Sequence, residues 1–103
     1  RAPGGGLHVG AVHVDPGTRR ACVAGAEVHL TRTEFDLLAC LAARPGAVLS
    51  RGRLIADVWQ WEGAVPPSAT RMLDSHVKAL RRKIGAERIR TVHGVGYALE
   101  ERP

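Results

Sequence analysis

The stretch "TRMLDSHVKALRRKIG" at residues 70–85 decides the fold, because it combines an apolar helical stripe with an unusual excess of positive charge. At 100° per residue, four apolar side chains fall within about 60° of arc on one side of a helix: Leu73, Val77, Leu80 and Ile84. Four polar side chains point the opposite way: Arg71, Ser75, Lys78 and Arg82. Asp74 is the only acid in the stretch. The pattern predicts a helix with one buried and one cationic face, which suits the major groove of DNA.

The positive charge of the chain is concentrated in this region. The net charge of the 103 residues is +5, and residues 71–90 alone carry seven basic residues against two acids. The rest of the chain is therefore neutral overall. Charge confined to one segment indicates a binding surface for a polyanion, although a solvated helix face is the alternative that charge alone leaves open.

Composition and length indicate one small globular domain. Hydrophobic residues make up 45% of the chain, which is enough for a single core. No apolar run is long enough to cross a bilayer, and no signal peptide is recognisable. The two cysteines, Cys22 and Cys40, lack metal-ligand spacing. We therefore expect a cytoplasmic protein with reduced thiols and no membrane association.

Residues before the quoted stretch predict a linker and a small sheet. The Pro- and Gly-rich residues 1–6 are typical of a linker remnant, so we place the domain at residues 7–103. Two short extended runs, 7–9 and 12–14, precede a turn at "DPGT", residues 15–18. Further extended runs flank a second turn at residues 24–26. We predict an antiparallel sheet of three or four strands that ends at Leu30.

Two helices are predicted next. "TRTE" at residues 31–34 forms a capping box, with Thr31 at the N-cap and Glu34 three residues later. This first helix should end at Arg44-Pro45-Gly46, and Ser50 should cap a second helix. "QWEGAVPPS" at residues 60–68 is predicted to be a loop, because a Pro pair does not fit inside a helix.

The sequence "RIRTVHGVGYALE" at residues 88–100 predicts a β-hairpin, with glycines 94 and 96 at its reversal. A Gly-x-Gly pair after a strand is also found in dinucleotide-binding loops, but no helix follows here, so we reject that interpretation. Three helices followed by a hairpin make a winged helix-turn-helix. The predicted fold class is thus α+β, with an N-terminal antiparallel β-sheet, three helices and a C-terminal β-hairpin wing.

These motifs resemble the C-terminal DNA-binding domain of the OmpR/PhoB family of two-component response regulators. The segments at 30–51, 70–85 and 88–100 match in order and spacing, and the resemblance covers residues 7–99. It implies an effector domain that binds double-stranded DNA sequence-specifically and controls transcription, with helix 70–84 in the major groove and wing 88–99 at the minor groove. It also implies direct-repeat sites, a receiver domain in the full-length protein, a sensor histidine kinase that acts through that receiver, and contact with RNA polymerase.

The resemblance also assigns roles to single residues. Four positions on the recognition helix face bases: Ser75, Lys78, Ala79 and Arg82. Four positions contact phosphates or the backbone: Arg51, Arg71, Arg81 and Thr91. His93 stands at the wing position for the minor groove, where the family usually has Arg. The polymerase loop corresponds to Gln60, Trp61 and Glu62. Ala79 also departs from the family, since it replaces a frequent long basic side chain.

Other functions receive less support. His8, His13 and His29 lack the clustering that a zinc site requires, and Asp74, Ser75 and His76 point about 100° apart on a helix, which rules out a triad. We expect no catalytic residue, no metal and no cofactor. His76, Cys40 and Tyr97 are interpreted as structural, and the buried Tyr97 hydroxyl then requires a partner. A winged helix used for protein contacts is the main alternative, and RNA binding is a weaker one because aromatic residues are scarce.

Overall fold

The computed structural model describes residues 6–101, and the linker predicted for residues 1–6 lies outside them except for Gly6. Four strands come first: β1 (Leu7–Val9), β2 (Val12–Asp15), β3 (Arg20–Val23) and β4 (Ala26–Val28). Three helices follow, with a short strand between the first two: α1 (Arg32–Ala42), β5 (Leu49–Ser50), α2 (Arg51–Trp59) and α3 (Pro67–Ile84). A 3-10 turn (Ala86–Arg88) leads into β6 (Ile89–Val92) and β7 (Gly96–Leu99). The predicted α+β winged helix-turn-helix is confirmed.

The N-terminal sheet has four antiparallel strands in the order β1-β2-β3-β4. Its inner face carries Val9, Val12, Val14 and Ala21, all buried against the helices. The turn predicted at residues 15–18 forms around Asp15, whose carboxylate accepts a hydrogen bond from the Gly17 backbone N–H at 2.9 Å. The sheet ends at Val28 instead of the predicted Leu30, because residues 29–31 lead into the cap of α1.

The predicted helix caps are present. The Thr31 hydroxyl accepts from the Glu34 backbone N–H at 3.2 Å, and the Glu34 carboxylate accepts from the Thr31 N–H at 2.9 Å. The Ser50 hydroxyl accepts from the Arg53 N–H at 3.1 Å and begins α2. The predicted loop at 60–68 is wrong at its C-terminal end. Pro67 is the first residue of α3, where a proline fits because its missing N–H would have no helical partner.

The apolar stripe of α3 lies in the core, as the periodicity predicts. Its four members, Leu73, Val77, Leu80 and Ile84, are each at most 3% exposed. They pack with apolar side chains of α1 and α2, and α1 in turn packs on the N-terminal sheet. Burial of this stripe fixes the rotation of α3 about its axis and directs the opposite face outward. Among residues 6–101, no helix has the length and apolar character needed to span a bilayer.

A second sheet has the strand order β5-β7-β6, so the strand that comes last in the chain lies in the middle. The two-residue strand β5 pairs Leu49 with Tyr97 and Ser50 with Gly96. A Cβ atom on Gly96 would lie 1.9 Å from the Leu49 carbonyl oxygen, so only glycine permits this approach. β6, β7 and their turn, residues 89–99, form the wing, and this sheet holds it against the N-terminus of α2.

Candidate nucleic-acid interface

The outward face of α3 is cationic. Arg71, Lys78 and Arg82 are exposed on this face together with Ser75. Within the described residues, none of the three basic side chains forms an ion pair. Small side chains at Ser75 and Ala79 leave space between these cations. The face therefore offers free guanidinium and ammonium groups to a large anionic partner.

One flank of α3 borders α1. An open cavity of 230 Å³ lies there, lined by Thr31, Glu34, Ser75, His76 and Ala79. Glu34, one of the lining residues, accepts a hydrogen bond at Oε1 from Lys83 Nζ at 2.7 Å. Ala79 is only half-exposed at the edge of this cavity. The local sequence pattern indicates that Glu34 is a capping residue, but it does not indicate the ion pair with Lys83.

The other flank of α3 is bonded to the wing. The Arg81 guanidinium donates to the Ile89 carbonyl oxygen, at 2.7 Å from one terminal nitrogen and 3.2 Å from Nε. The same terminal nitrogen donates to the Thr91 hydroxyl at 2.6 Å. Two residues that were assigned to the DNA backbone, Arg81 and Thr91, are thus bonded to each other. Their contact anchors β6 to the C-terminal half of the helix.

Tyr97 lies at the centre of five interacting residues, which we name the Tyr97 cluster: Arg51, Asp74, Arg81, Thr91 and Tyr97. The Tyr97 hydroxyl donates to Asp74 Oδ1 at 2.5 Å, which supplies the partner that the sequence requires. Arg51 Nε donates to the same oxygen at 3.0 Å. The guanidinium carbons of Arg51 and Arg81 lie 5.0 Å and 5.5 Å from the Tyr97 ring centroid.

Electrostatics in this cluster follow from burial and from the shared carboxylate. Burial raises the pKa of Tyr97, and its hydrogen bond to Asp74 raises it further. The hydrogen bond to Asp74 also raises the pKa of Arg51. Tyr97 is therefore a neutral donor at physiological pH, and Arg51 stays charged. Three of the four residues assigned to phosphates, Arg51, Arg81 and Thr91, are brought together here, whereas Arg71 lies apart on the outward face.

The tip of the wing projects into solvent. His93, Gly94 and Val95 are all exposed, and Gly94 has a left-handed backbone with φ of 78°. The Val95 carbonyl oxygen accepts from the Arg51 backbone N–H at 3.2 Å. This bond fixes the base of the tip against the start of α2. His93 is therefore presented on a short turn whose base is fixed.

The loop after α2 is partly structural. Gln60 ends α2 in a left-handed conformation, and its side chain donates to the Asp57 carbonyl oxygen at 2.9 Å. The Trp61 indole N–H donates to the Ala64 carbonyl oxygen at 3.1 Å, and the ring packs partly against the core. Glu62 is exposed. Of the three residues assigned to the polymerase loop, only Glu62 makes no such internal bond within the described chain.

His76 and Cys40 each contact α2. His76 Nδ1 lies 2.9 Å from the Met72 carbonyl oxygen, and its ring meets Trp59 edge-on at 5.3 Å. This is the structural role predicted for it. Cys40 is half-buried beside the core, and its Sγ donates to Asp57 Oδ2 at 3.8 Å. Burial raises the pKa of the Cys40 thiol, and the Asp57 carboxylate raises it further.

Comparison with known proteins identifies the family. The family model described as "Transcriptional regulatory protein, C terminal" matches residues 25–99. The transcriptional regulatory protein CseB of Streptomyces coelicolor is 44% identical over 99 residues, which cover 94% of this chain and 40% of CseB. The chain thus spans about two fifths of the length of that curated relative.

Solved structures agree in fold and extent. The DNA-binding domain of CpxR from E. coli has a TM-score of 0.80 and 34% identity, covering 92% of this chain and 95% of that one. The Klebsiella pneumoniae RstA DNA-binding domain, solved in complex with the RstA box, has a TM-score of 0.81 and 27% identity, covering 94% and 98%. The chain therefore belongs to the OmpR/PhoB-type family of transcriptional regulatory proteins, and it is a winged-helix DNA-binding domain of that family.

Proposed function

We propose that this domain binds double-stranded DNA with α3 in the major groove and that Lys78 and Arg82 read base edges there. The observation that carries the proposal is the outward face of α3. Its three basic side chains have no internal acidic partner among residues 6–101, and Ser75 and Ala79 allow the bases to approach closely. Arg and Lys contacts to guanine edges are the commonest specific contacts in the major groove. The RstA domain solved with its DNA box supports the same use of the shared fold.

Phosphate binding is proposed for Arg71 and for the Tyr97 cluster. Arg71 stands at the exposed N-terminal half of α3. Arg51, Arg81 and Thr91 meet where α2, α3 and the wing adjoin, so this cluster lies between the two proposed groove contacts. Arg51 and Arg81 carry two positive charges against the single charge of Asp74, which leaves the cluster attractive to a phosphate. His93 would then enter the adjacent minor groove from the wing tip.

Substitution at Arg82 and Arg71 tests these roles separately. Arg82→Ala should relax sequence preference and cost on the order of 1–3 kcal/mol at the selected site. Arg71→Ala should weaken binding to selected and random DNA by the same factor. Both affinities are measured on a site selected from random fragments, at several salt concentrations. An unchanged ratio of selected to random binding in Arg82→Ala would refute the assignment of base reading.

The salt series also distinguishes DNA binding from the protein-contact alternative. A module that binds only proteins has no steep salt dependence for nucleic acid, whereas each phosphate contact adds to the slope. Parallel titration with double-stranded RNA of the same sequence separates DNA from RNA recognition. The major groove of double-stranded RNA is deep and narrow and excludes a helix such as α3.

For the whole protein we propose a response regulator in a two-component phosphorelay. CseB is about two and a half times as long as the matched region, which covers 40% of it, and this leaves room for a receiver domain beside this one. In this proposal a sensor histidine kinase phosphorylates the receiver, the regulator acts in the bacterial cytoplasm, and Gln60, Trp61 and Glu62 contact RNA polymerase. We further propose head-to-tail binding to direct repeats, with centres about 10–10.5 bp apart so that both helices meet one side of the DNA. A footprint limited to one half-site, unchanged when a second half-site is added, would refute the tandem arrangement.

A further inference from the structure

Asp74 is the only acidic residue on α3, and it lies beside the cationic face that is proposed to bind DNA. A carboxylate at such a place repels phosphate and weakens binding, so electrostatics alone gives no reason for it. The hydrogen bonds of Asp74 supply a structural reason. Asp74 Oδ1 accepts from the Tyr97 hydroxyl of β7 and from Arg51 Nε at the start of α2. One carboxylate oxygen therefore joins the recognition helix to the wing and to the neighbouring helix.

A second link runs parallel to the first. Asp74 and Arg81 are seven residues apart, which is about two helical turns, so they lie on the same flank of α3. Asp74 is bonded to β7, and Arg81 is bonded to the Ile89 carbonyl and the Thr91 hydroxyl of β6. Two anchors spaced along one helix resist both sliding and pivoting of the wing. Both guanidinium groups, those of Arg51 and Arg81, also contact the Tyr97 ring.

We infer that Asp74 is a positioning residue, which holds the wing at a fixed place relative to α3 so that the major-groove and minor-groove contacts are made in one binding event. The inference rests on the proposed function. When two contacts are rigidly linked, the second forms at high effective concentration. When the link loosens, the wing must be ordered during binding, and its contribution to affinity falls. Asp74 thus acts through Tyr97 and Arg51 without touching a base.

The test compares two duplexes that carry the same selected site, one with the flanking base pairs that the wing reaches and one truncated before them. The ratio of the two affinities is the flank gain. Tyr97→Phe removes only the hydroxyl that bonds Asp74. It should reduce the flank gain by about threefold to tenfold, the range of one hydrogen bond, because the affinity for the full duplex should fall by more than the affinity for the truncated duplex. His93→Ala, at the wing tip, should also reduce the flank gain. Its effect and that of Tyr97→Phe on the flank gain should not be additive in the double variant.

A second variant and a matched control separate positioning from charge. Asp74→Asn removes one negative charge, so affinity for both duplexes should rise while the flank gain falls. Glu100→Gln also removes one negative charge and breaks an ion pair of the wing, that between Arg90 and Glu100. That pair is not bonded to α3, so Glu100→Gln should keep the full flank gain. A general loss of stability cannot produce this pattern, because it lowers both affinities together.

The outcomes are distinguishable. Wild-type protein that binds neither duplex refutes the proposed function. Wild-type protein with a flank gain that Tyr97→Phe and Asp74→Asn retain in full overturns the positioning role alone. Denaturant unfolding shows whether each variant is folded at the assay temperature. If one of the two variants is not folded, the flank gain of the other variant tests the positioning role.

Discussion

Lys83 donates a hydrogen bond from Nζ to Glu34 Oε1 at 2.7 Å, and this ion pair joins the last turn of α3 to the first turn of α1. The same carboxylate oxygen accepts the Thr31 backbone N–H, so one buried group closes a helix cap and ties two helices together. Burial by itself raises the pKa of Glu34, but the hydrogen bonds from Lys83 and Thr31 outweigh it and leave the pKa below its ordinary value of 4.5.

Lys83→Met should destabilise the domain by about 1–2 kcal/mol near neutral pH, because it leaves a buried carboxylate with one donor fewer. Since the folded pKa of Glu34 is lowered, its contribution is fully present above pH 4.5 and is lost as pH falls through the folded value. The difference in the free energy of unfolding between wild type and variant should therefore become smaller at acid pH. Urea unfolding at several pH values measures it. Lys78→Met, which removes an exposed lysine, is the control and should show no such convergence.

Gly96→Ala should cost about 3 kcal/mol or more, because its Cβ would overlap the Leu49 carbonyl and separate β5 from β7. Gly94 is the matched position in the same hairpin. It has space for a Cβ but a left-handed backbone, so Gly94→Ala should cost only about 1–2 kcal/mol. Thermal or urea unfolding compares them. Equal losses in the two variants would show that the close approach to Leu49 is unimportant.

Cys40 should alkylate slowly at neutral pH, since its raised pKa keeps the thiol protonated. In a Cys22→Ser background it is the only thiol. Adding Asp57→Asn removes the carboxylate that raises the pKa beyond the effect of burial, so the rate should rise several-fold. Iodoacetamide labelling followed by mass spectrometry measures the rate, with urea-unfolded protein as the reference. Identical native rates with and without Asp57 would contradict the assigned cause.

His93→Arg should tighten binding and increase the preference for A·T-rich flanks. A permanently charged side chain is attracted to the strong negative potential of a narrow minor groove. One added charge contact also steepens the salt dependence by about one phosphate equivalent. Affinity is measured on sites with A·T-rich and G·C-rich flanks. If His93→Arg leaves the ratio of the two unchanged, the wing tip does not enter the groove.

Local patterns predicted the helices well. The capping box at Thr31 lies within four consecutive residues, and the stripe of α3 repeats over about three turns, so each is visible without knowledge of the fold. The two-residue strand β5 has no periodicity of its own and exists only because β7 pairs with it. The sequence alone therefore does not indicate this strand.

The hydrogen-bond partners within the candidate site were harder to predict than the helices. The sequence indicates that a buried Tyr97 hydroxyl needs an acceptor, but only packing brings Asp74 to it. The assignments of Arg81 and Thr91 to the DNA backbone came from resemblance, and neither spacing nor charge indicates that they bond each other. Contacts between residues on separate elements depend on three-dimensional packing, which local patterns do not specify.

The central position of β7 in its sheet determines which parts of the fold can form during synthesis. Strands β1 to β4 pair with neighbours along the chain, so that sheet can assemble while the polypeptide is still emerging from the ribosome. The helices lack this possibility, because Tyr97 and Leu99 complete the core against which they pack. Until β7 has left the exit tunnel, the apolar surface of α1 that β7 covers stays open to chaperones and to other nascent chains. The nascent domain is thus most vulnerable to aggregation just before its last strand emerges.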